Sequence, residues 1–147
     1  MNSIHLTAQL SDQAFADMLA SSPRQVREVL FSKFHIKSDL VKNTISPVAK
    51  RFERARLLKE RLGIAKSAQE NQLCQELIRN WLFTKRPMLK AAMDFLNVPN
   101  DNGLVDSEEN IFSKLESTKL EELKNYLVQN FSEEEVNTYL NFMQFNS

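Results

Sequence analysis

Glycine is scarce in this chain: only Gly63 and Gly103 occur among its 147 residues. Average usage would give about ten. Tight hairpins and phosphate-binding loops both use glycine, because their backbones take positive φ values or approach a ligand closely. The scarcity therefore indicates helices joined by Ser, Thr, Asn and Pro turns, and it predicts an all-α fold.

The length and the helix start signals together predict one domain, residues 1–147. A chain of this size buries roughly 68–70% of its unfolded surface, enough for a core of its own. Ser-Pro pairs at 22–23 and 46–47 are typical of helix starts, where proline needs no hydrogen-bond partner. We expect a bundle of six to eight short helices, at about 12–20, 23–34, 47–62, 68–83, 85–96, 107–115, 119–129 and 133–142, with a further short helical piece near 39–43.

Residues 68–96 are the predicted centre of the bundle. Residues 85–96 are apolar around most of a helix circumference, as expected of a helix that is buried on all sides. Together with the preceding helix they form a predicted apolar hairpin. The loop 97–107 that follows contains Pro99 and the pair Asn102-Gly103, which are strong turn signals.

The net charge of zero hides a strong asymmetry along the chain. Residues 24–66 carry twelve Lys/Arg against four Asp/Glu, whereas residues 101–147 carry three Lys against ten Asp/Glu. Such a division is typical of a protein with a nucleic-acid or partner-binding surface. It is equally consistent with the acidic C-terminal helices, 107–145, covering the basic part within one molecule.

The helix predicted at 47–62 is amphipathic and basic. At 100° per residue, Val48, Phe52, Ala55 and Leu62 form its buried stripe, and Gly63 is placed to close it with a Schellman motif. The opposite side carries the basic row, which we define as Lys50, Arg54 and Arg61 around an exposed Leu57. This row is the main candidate for binding a partner or phosphate groups.

Catalysis, metal binding and cofactor binding are not predicted. The two histidines are His5, near a terminus expected to fray, and His35, while Cys74 falls on a buried stripe. An EF-hand alignment that places Gly103 at the sixth position puts Val98, which has no side-chain oxygen, at the first. No apolar run approaches the roughly 20 residues of a membrane span. With one cysteine and no signal peptide pattern, a cytoplasmic location is expected.

The preferred hypothesis is a non-catalytic interaction or regulatory module. It would bind another protein, of acidic surface or a second copy of this chain, through the basic row. A second candidate surface is the apolar C-terminal helix with Phe142 and Phe145, which has too many apolar residues for one narrow stripe.

DNA or RNA binding is the alternative hypothesis. Residues 15–30 can be interpreted as a helix-turn-helix whose second helix would present Arg24 and Arg27 from its first turns. The basic helix 47–62 would add contacts with phosphates, and binding would weaken steeply with salt.

Overall fold

A computed structural model describes residues 3–36, 46–64, 68–106 and 111–145. Over these residues the chain is all-α, with one isolated bridge between Asp101 and Leu104, so the predicted fold class is confirmed. The described part contains α1 (Ser3–Ala8), α2 (Asp12–Ser21), α3 (Arg24–Lys33), α4 (Pro47–Leu62), α5 (Ala68–Phe83), α6 (Arg86–Phe95), a 3-10 turn (Phe112–Lys114), α7 (Ser117–Leu127) and α8 (Glu133–Phe145).

The described chain forms two compact units, residues 2–81 and residues 82–147. The boundary falls inside α5, after Trp81, so α5 and α6 belong mainly to different units. A single domain and a central hairpin at 68–96 therefore stay predictions. The piece near 39–43 lies outside the described residues, and of the helix predicted at 107–115 only the 3-10 turn is described.

In the first unit, α2 packs against α4. Lys59 on α4 donates to the backbone oxygen of Leu10 at 2.6 Å and to the Asp12 carboxylate at 2.7 Å. These bonds tie the start of α2 to the last turns of α4. The core of this unit is formed by apolar side chains that include Leu6, Phe15, Met18, Leu30, Leu58, Leu62, Leu77 and Ile78.

Helix α1 replaces the frayed terminus expected from the sequence. The Asn71 side chain on α5 accepts hydrogen bonds from the backbone N–H groups of Ser3 and Ile4, at 2.9 and 3.3 Å. This oxygen does the work of an N-cap, although it comes from far along the chain. Ile4 and Leu6 are buried, so the N-terminal segment belongs to the core of the first unit.

Schellman motifs close two helices of the described chain, but not the helix that ends at Gly63, where one was predicted. Schellman motifs close α3 at His35 and α6 at Asn97, each with φ of 57°. The diagnostic bonds run from Ile36 N to Phe31 O and from Val98 N to Met93 O, at 2.8 and 2.9 Å. Gly63 instead has φ of −60°, and the next residue, Ile64, is 79% exposed. The Schellman prediction at Gly63 is wrong because its backbone stays right-handed.

Helical spacing predicts two buried stripes, each of which is wrong at one valine: Val26, Val29, Leu30 and Phe34 on α3, and Val48, Phe52, Ala55 and Leu62 on α4. Leu30 on α3 is fully buried, but Val29 is 48% exposed. On α4, Ala55, Leu58 and Leu62 are buried whereas Val48 is 72% exposed. Helical spacing marks a side of the helix, but it does not show how much of that side another element covers.

Replacing Val29 by alanine tests the corrected position of this side chain. Because Val29 is half exposed, we expect the free energy of unfolding to change by less than about 0.5 kcal/mol. The higher helix propensity of alanine should favour a small gain. Urea denaturation of both proteins measures the change. A loss of about 1 kcal/mol or more would restore the buried stripe that the sequence predicts.

The second unit has its own apolar core. Leu123 and Leu127 on α7 and Val136 and Leu140 on α8 are buried, and the Tyr139 ring meets Phe112 edge-on at 5.5 Å between centroids. Ser132 caps α8, since its hydroxyl accepts from the Glu135 N–H at 3.2 Å. The Glu135 carboxylate pairs with Lys85 at 2.7 Å.

Candidate functional site

Three helices of the first unit surround an open groove of about 970 Å³. Each helix lines it with residues at the i, i+3, i+4, i+7 spacing of a single helix face. These positions are 13, 16, 17 and 20 on α2, 24, 27, 28 and 31 on α3, and 48, 51, 52 and 55 on α4. The groove is therefore bounded by three helix faces that the described residues of the unit do not fully cover.

The apolar part of the groove comes from all three helices. Ala16 lies on α2, Phe31 on α3, and Phe52 and Val48 on α4. Phe31 and Phe52 are half-buried, and Val48 at 72% exposure is the most open of these side chains. The site thus offers an apolar surface with one strongly exposed residue near the start of α4.

Two arginines of α4 connect it to the end of α3. Arg54 donates from Nη2 to the Ile36 carbonyl oxygen at 3.2 Å, and its guanidinium lies 4.1 Å from the centre of the Phe31 ring. Arg61 donates from Nη1 to the Phe34 carbonyl oxygen. Both oxygens belong to the Schellman end of α3, where a cation is favoured by the helix dipole. These contacts hold one wall of the groove.

The predicted basic row is therefore not an outward-facing row. Arg54 lines the groove, whereas Lys50, Leu57 and Arg61 are not part of its lining. Leu57, predicted to be exposed, is half-buried, as are Lys50 and Arg61. The prediction failed because helical spacing gives the direction of Cβ only, while a long arginine can fold back to bond nearby carbonyls.

The two arginines proposed to read DNA also have partners within the first unit. Arg27 donates from Nη1 to the carbonyl oxygens of Ala20 and Ser22, at 3.2 and 2.9 Å, and so caps the end of α2. Arg24 forms an exposed ion pair with Glu28 at 2.7 Å, four residues further along α3. Both arginines line the groove, so the structure brings Arg24, Arg27 and Arg54 together.

Arg51 and Asp17 are the remaining charged side chains of the lining. Arg51 is exposed on α4 and makes no ion pair or hydrogen bond with the described residues. Asp17 is exposed on α2 and accepts a hydrogen bond from the Gln13 amide at 2.9 Å. The sequence holds no local signal that distinguishes Arg51 from Lys50, the residue before it.

The second candidate surface is that of Phe142 and Phe145 on α8, and Phe142 does not line the groove. Phe142 is 3% exposed and belongs to the core of the second unit, so it offers no surface to a partner. Its neighbours Tyr139 and Leu140 are buried as well, which shows that α8 covers more apolar surface than one narrow stripe. The side chain of Phe145 lies outside the described residues.

Cys74 and the Asn100 side chain of the loop after α6 have hydrogen-bond partners within the fold. Burial raises the pKa of the Cys74 thiol to about 11, and the Thr7 hydroxyl donates to its sulfur at 3.5 Å. In the 97–107 loop, Asn100 accepts from the Gly103 N–H at 2.9 Å and donates to Asp94 at 3.0 Å. Within the described ranges, no three or more His, Cys, Asp or Glu side chains are grouped to hold a metal ion.

The sequence matches no protein-family model, and no curated protein or solved structure is significantly similar to it. Across the described residues, none of the helices combines the length and the apolar character needed to span a bilayer.

Proposed function

We propose that this chain is a non-catalytic interaction module that binds a helical segment of another protein in the groove between α2, α3 and α4. The observation that carries the proposal is the set of three helix faces around one open space. A helix is the element that fits between other helices, with interaxial distances of roughly 8–10 Å. Recognition of an amphipathic helix in a groove is a recurrent mode of protein binding.

The apolar surface of the groove supports a bound helix energetically. Val48, Phe31 and Phe52 would lose water contact when an apolar stripe packs on them. Burying a fully exposed side chain of this kind contributes about 1.5–3 kcal/mol, and the half-buried Phe31 and Phe52 would contribute less. Small residues, Ala16 and Ala20 on α2 and Ser32 on α3, leave room for the partner's larger side chains. The bound helix would contact about two turns of each of the three helices α2, α3 and α4.

The charges of the groove favour a partner with an acidic surface. Four arginines and two carboxylates belong to the lining. Complementary charge contributes mainly to the rate of association and to specificity. This supports the acidic partner that the sequence suggests, but it assigns the contact to the groove and not to an exposed row on α4.

Selection from a displayed library of random helical peptides, of about four turns each, tests the proposal. We expect enrichment of peptides with apolar residues at i, i+3 or i+4, and i+7. Val48→Glu should weaken the binding of the selected peptides at least about tenfold, because it places a charge on the exposed apolar wall. Glutamate in the first turn of α4 is favoured by the helix dipole, so the fold should be retained.

Ile64→Glu is the matched control, because Ile64 is 79% exposed and does not line the groove. It should leave peptide binding unchanged. If no peptide is enriched, or if the two variants bind the selected peptides equally well, the proposal fails.

A labelled DNA duplex and its single strand test the alternative hypothesis, nucleic-acid binding, in parallel. DNA binding that falls steeply with salt and is lost in Arg24→Glu would favour nucleic acid instead.

A further inference from the structure

We infer that Arg51 is the specificity-determining residue of the groove, and that it pairs with a carboxylate on the bound helix. The inference rests on the proposed function and adds the chemistry of the partner. The partner would be an amphipathic helix whose apolar stripe is bordered by Asp or Glu on the side that meets α4.

The partners of the other arginines single out Arg51. Arg27 is bonded to two carbonyl oxygens at the end of α2, and Arg54 to the Ile36 carbonyl. Arg24 is paired with Glu28. Among the described residues, Arg51 is thus the lining arginine with neither a carboxylate nor a carbonyl as partner. A ligand can pair with Arg51 without breaking a contact that Arg51 makes with the described residues.

The position of Arg51 on α4 fixes where the partner's carboxylate must lie. Val48 is one turn before it and Phe52 is the next residue, and all three line the groove. A side chain packed on Val48 and Phe52 would therefore lie within about one helical turn, 5.4 Å, of a group paired with Arg51. The guanidinium can bind both oxygens of a carboxylate, which gives directional recognition that a lysine does not give.

Asp17 and Arg51 give two walls of the groove opposite charges. Asp17 lies on the α2 wall, whereas Arg51 lies on the α4 wall. A partner helix with acidic residues along both edges would place one of them near Asp17, and like charges in contact disfavour binding. The groove should therefore select helices with one acidic edge and a neutral or basic opposite edge.

The peptide selection, repeated with Arg51→Glu, tests this inference. Peptides selected on the unmodified protein should carry Asp or Glu next to an apolar anchor. Arg51→Glu should weaken their binding about tenfold, and the same peptides with Lys in place of that acidic residue should regain affinity for the variant. Lys50→Glu is the control: it makes the same change in charge at the adjacent position of α4, but Lys50 does not line the groove. Circular dichroism spectra of both variants check that the helices are retained.

The outcomes separate this inference from the function on which it rests. Peptides that lose binding in Val48→Glu but show no acidic preference, or that bind Arg51→Glu as tightly as the unmodified protein, would overturn the role of Arg51 and leave the groove as the binding site. Equal losses in Lys50→Glu and Arg51→Glu would overturn it too, since the effect would then come from the overall charge. If Val48→Glu has no effect on any selected peptide, the proposed function itself is wrong.

Discussion

Replacing Gly103 by alanine is expected to lower the free energy of unfolding by about 3 kcal/mol. A Cβ at this position would lie 2.6 Å from the Leu89 Cβ and 2.7 Å from the Lys90 backbone nitrogen. Backbone atoms of α6 cannot move aside as the end of a flexible side chain can. The φ of +90° adds conformational strain, because L-residues with a side chain rarely adopt it.

The turn around Gly103 explains why the backbone cannot easily avoid this clash. Asp101 and Leu104 exchange two backbone hydrogen bonds, of 2.7 and 3.0 Å, across the pair Asn102-Gly103. Both residues of the pair have positive φ, as a two-residue turn of the mirror-image class requires. Asn100 also accepts a bond from the Gly103 N–H. These three bonds and two angles fix the shape of the turn, and Gly103 within it lies against Leu89 and Lys90 of α6.

Gly63→Ala is the natural control, since these are the two glycines of the chain. Gly63 has φ of −60°, and its nearest obstacle would be the Glu60 carbonyl oxygen at 3.3 Å. We expect a change within about 1 kcal/mol, because lower entropy of the unfolded chain offsets the tight contact. Urea denaturation followed by far-ultraviolet circular dichroism measures both variants. Equal effects would contradict the assignment of a close approach to Gly103 alone.

The predictions that the structure confirms depend on groups a few residues apart. Ser11 and Ser46 each accept a hydrogen bond from the backbone N–H three residues later, at 3.2 Å, and these bonds begin α2 and α4 where the sequence places their starts. The Asn102-Gly103 turn was predictable for the same reason. An N-cap or a tight turn is a property of about four consecutive residues, so it can be recognised without knowledge of the fold.

The features that the sequence did not predict need partners from distant parts of the chain. Helix α1 depends on Asn71, which is 68 residues from Ser3. Arg54 and Arg61 turn toward the end of α3 because the carbonyls of Ile36 and Phe34 are there to accept their bonds. The groove combines faces of three helices, so neither its existence nor the position of Arg51 in it follows from any one helical pattern.

Phe15→Ala is expected to have the largest effect on stability, a loss of about 4 kcal/mol. Phe15 lies on α2 and is fully buried. Deleting its ring removes buried apolar contacts and leaves a cavity, because neighbouring side chains relax only partly into the space. Phe15→Leu keeps most of the volume and should lose less than about 2 kcal/mol. Thermal and urea unfolding of the two variants give the comparison.

Phe83→Ala provides the matched control, since the same ring is removed from a side chain that is 55% exposed on α5. Its ring lies 5.3 Å from the Arg86 guanidinium, so we expect a loss of at most about 1 kcal/mol. Similar losses in Phe15→Ala and Phe83→Ala would contradict the assigned core of the first unit. The result also bears on the groove, because Phe15 is buried on α2, the helix whose Ala16 and Asp17 line the groove. A large loss at Phe15 would show that the helix forming one wall of the groove is held by the core of the first unit.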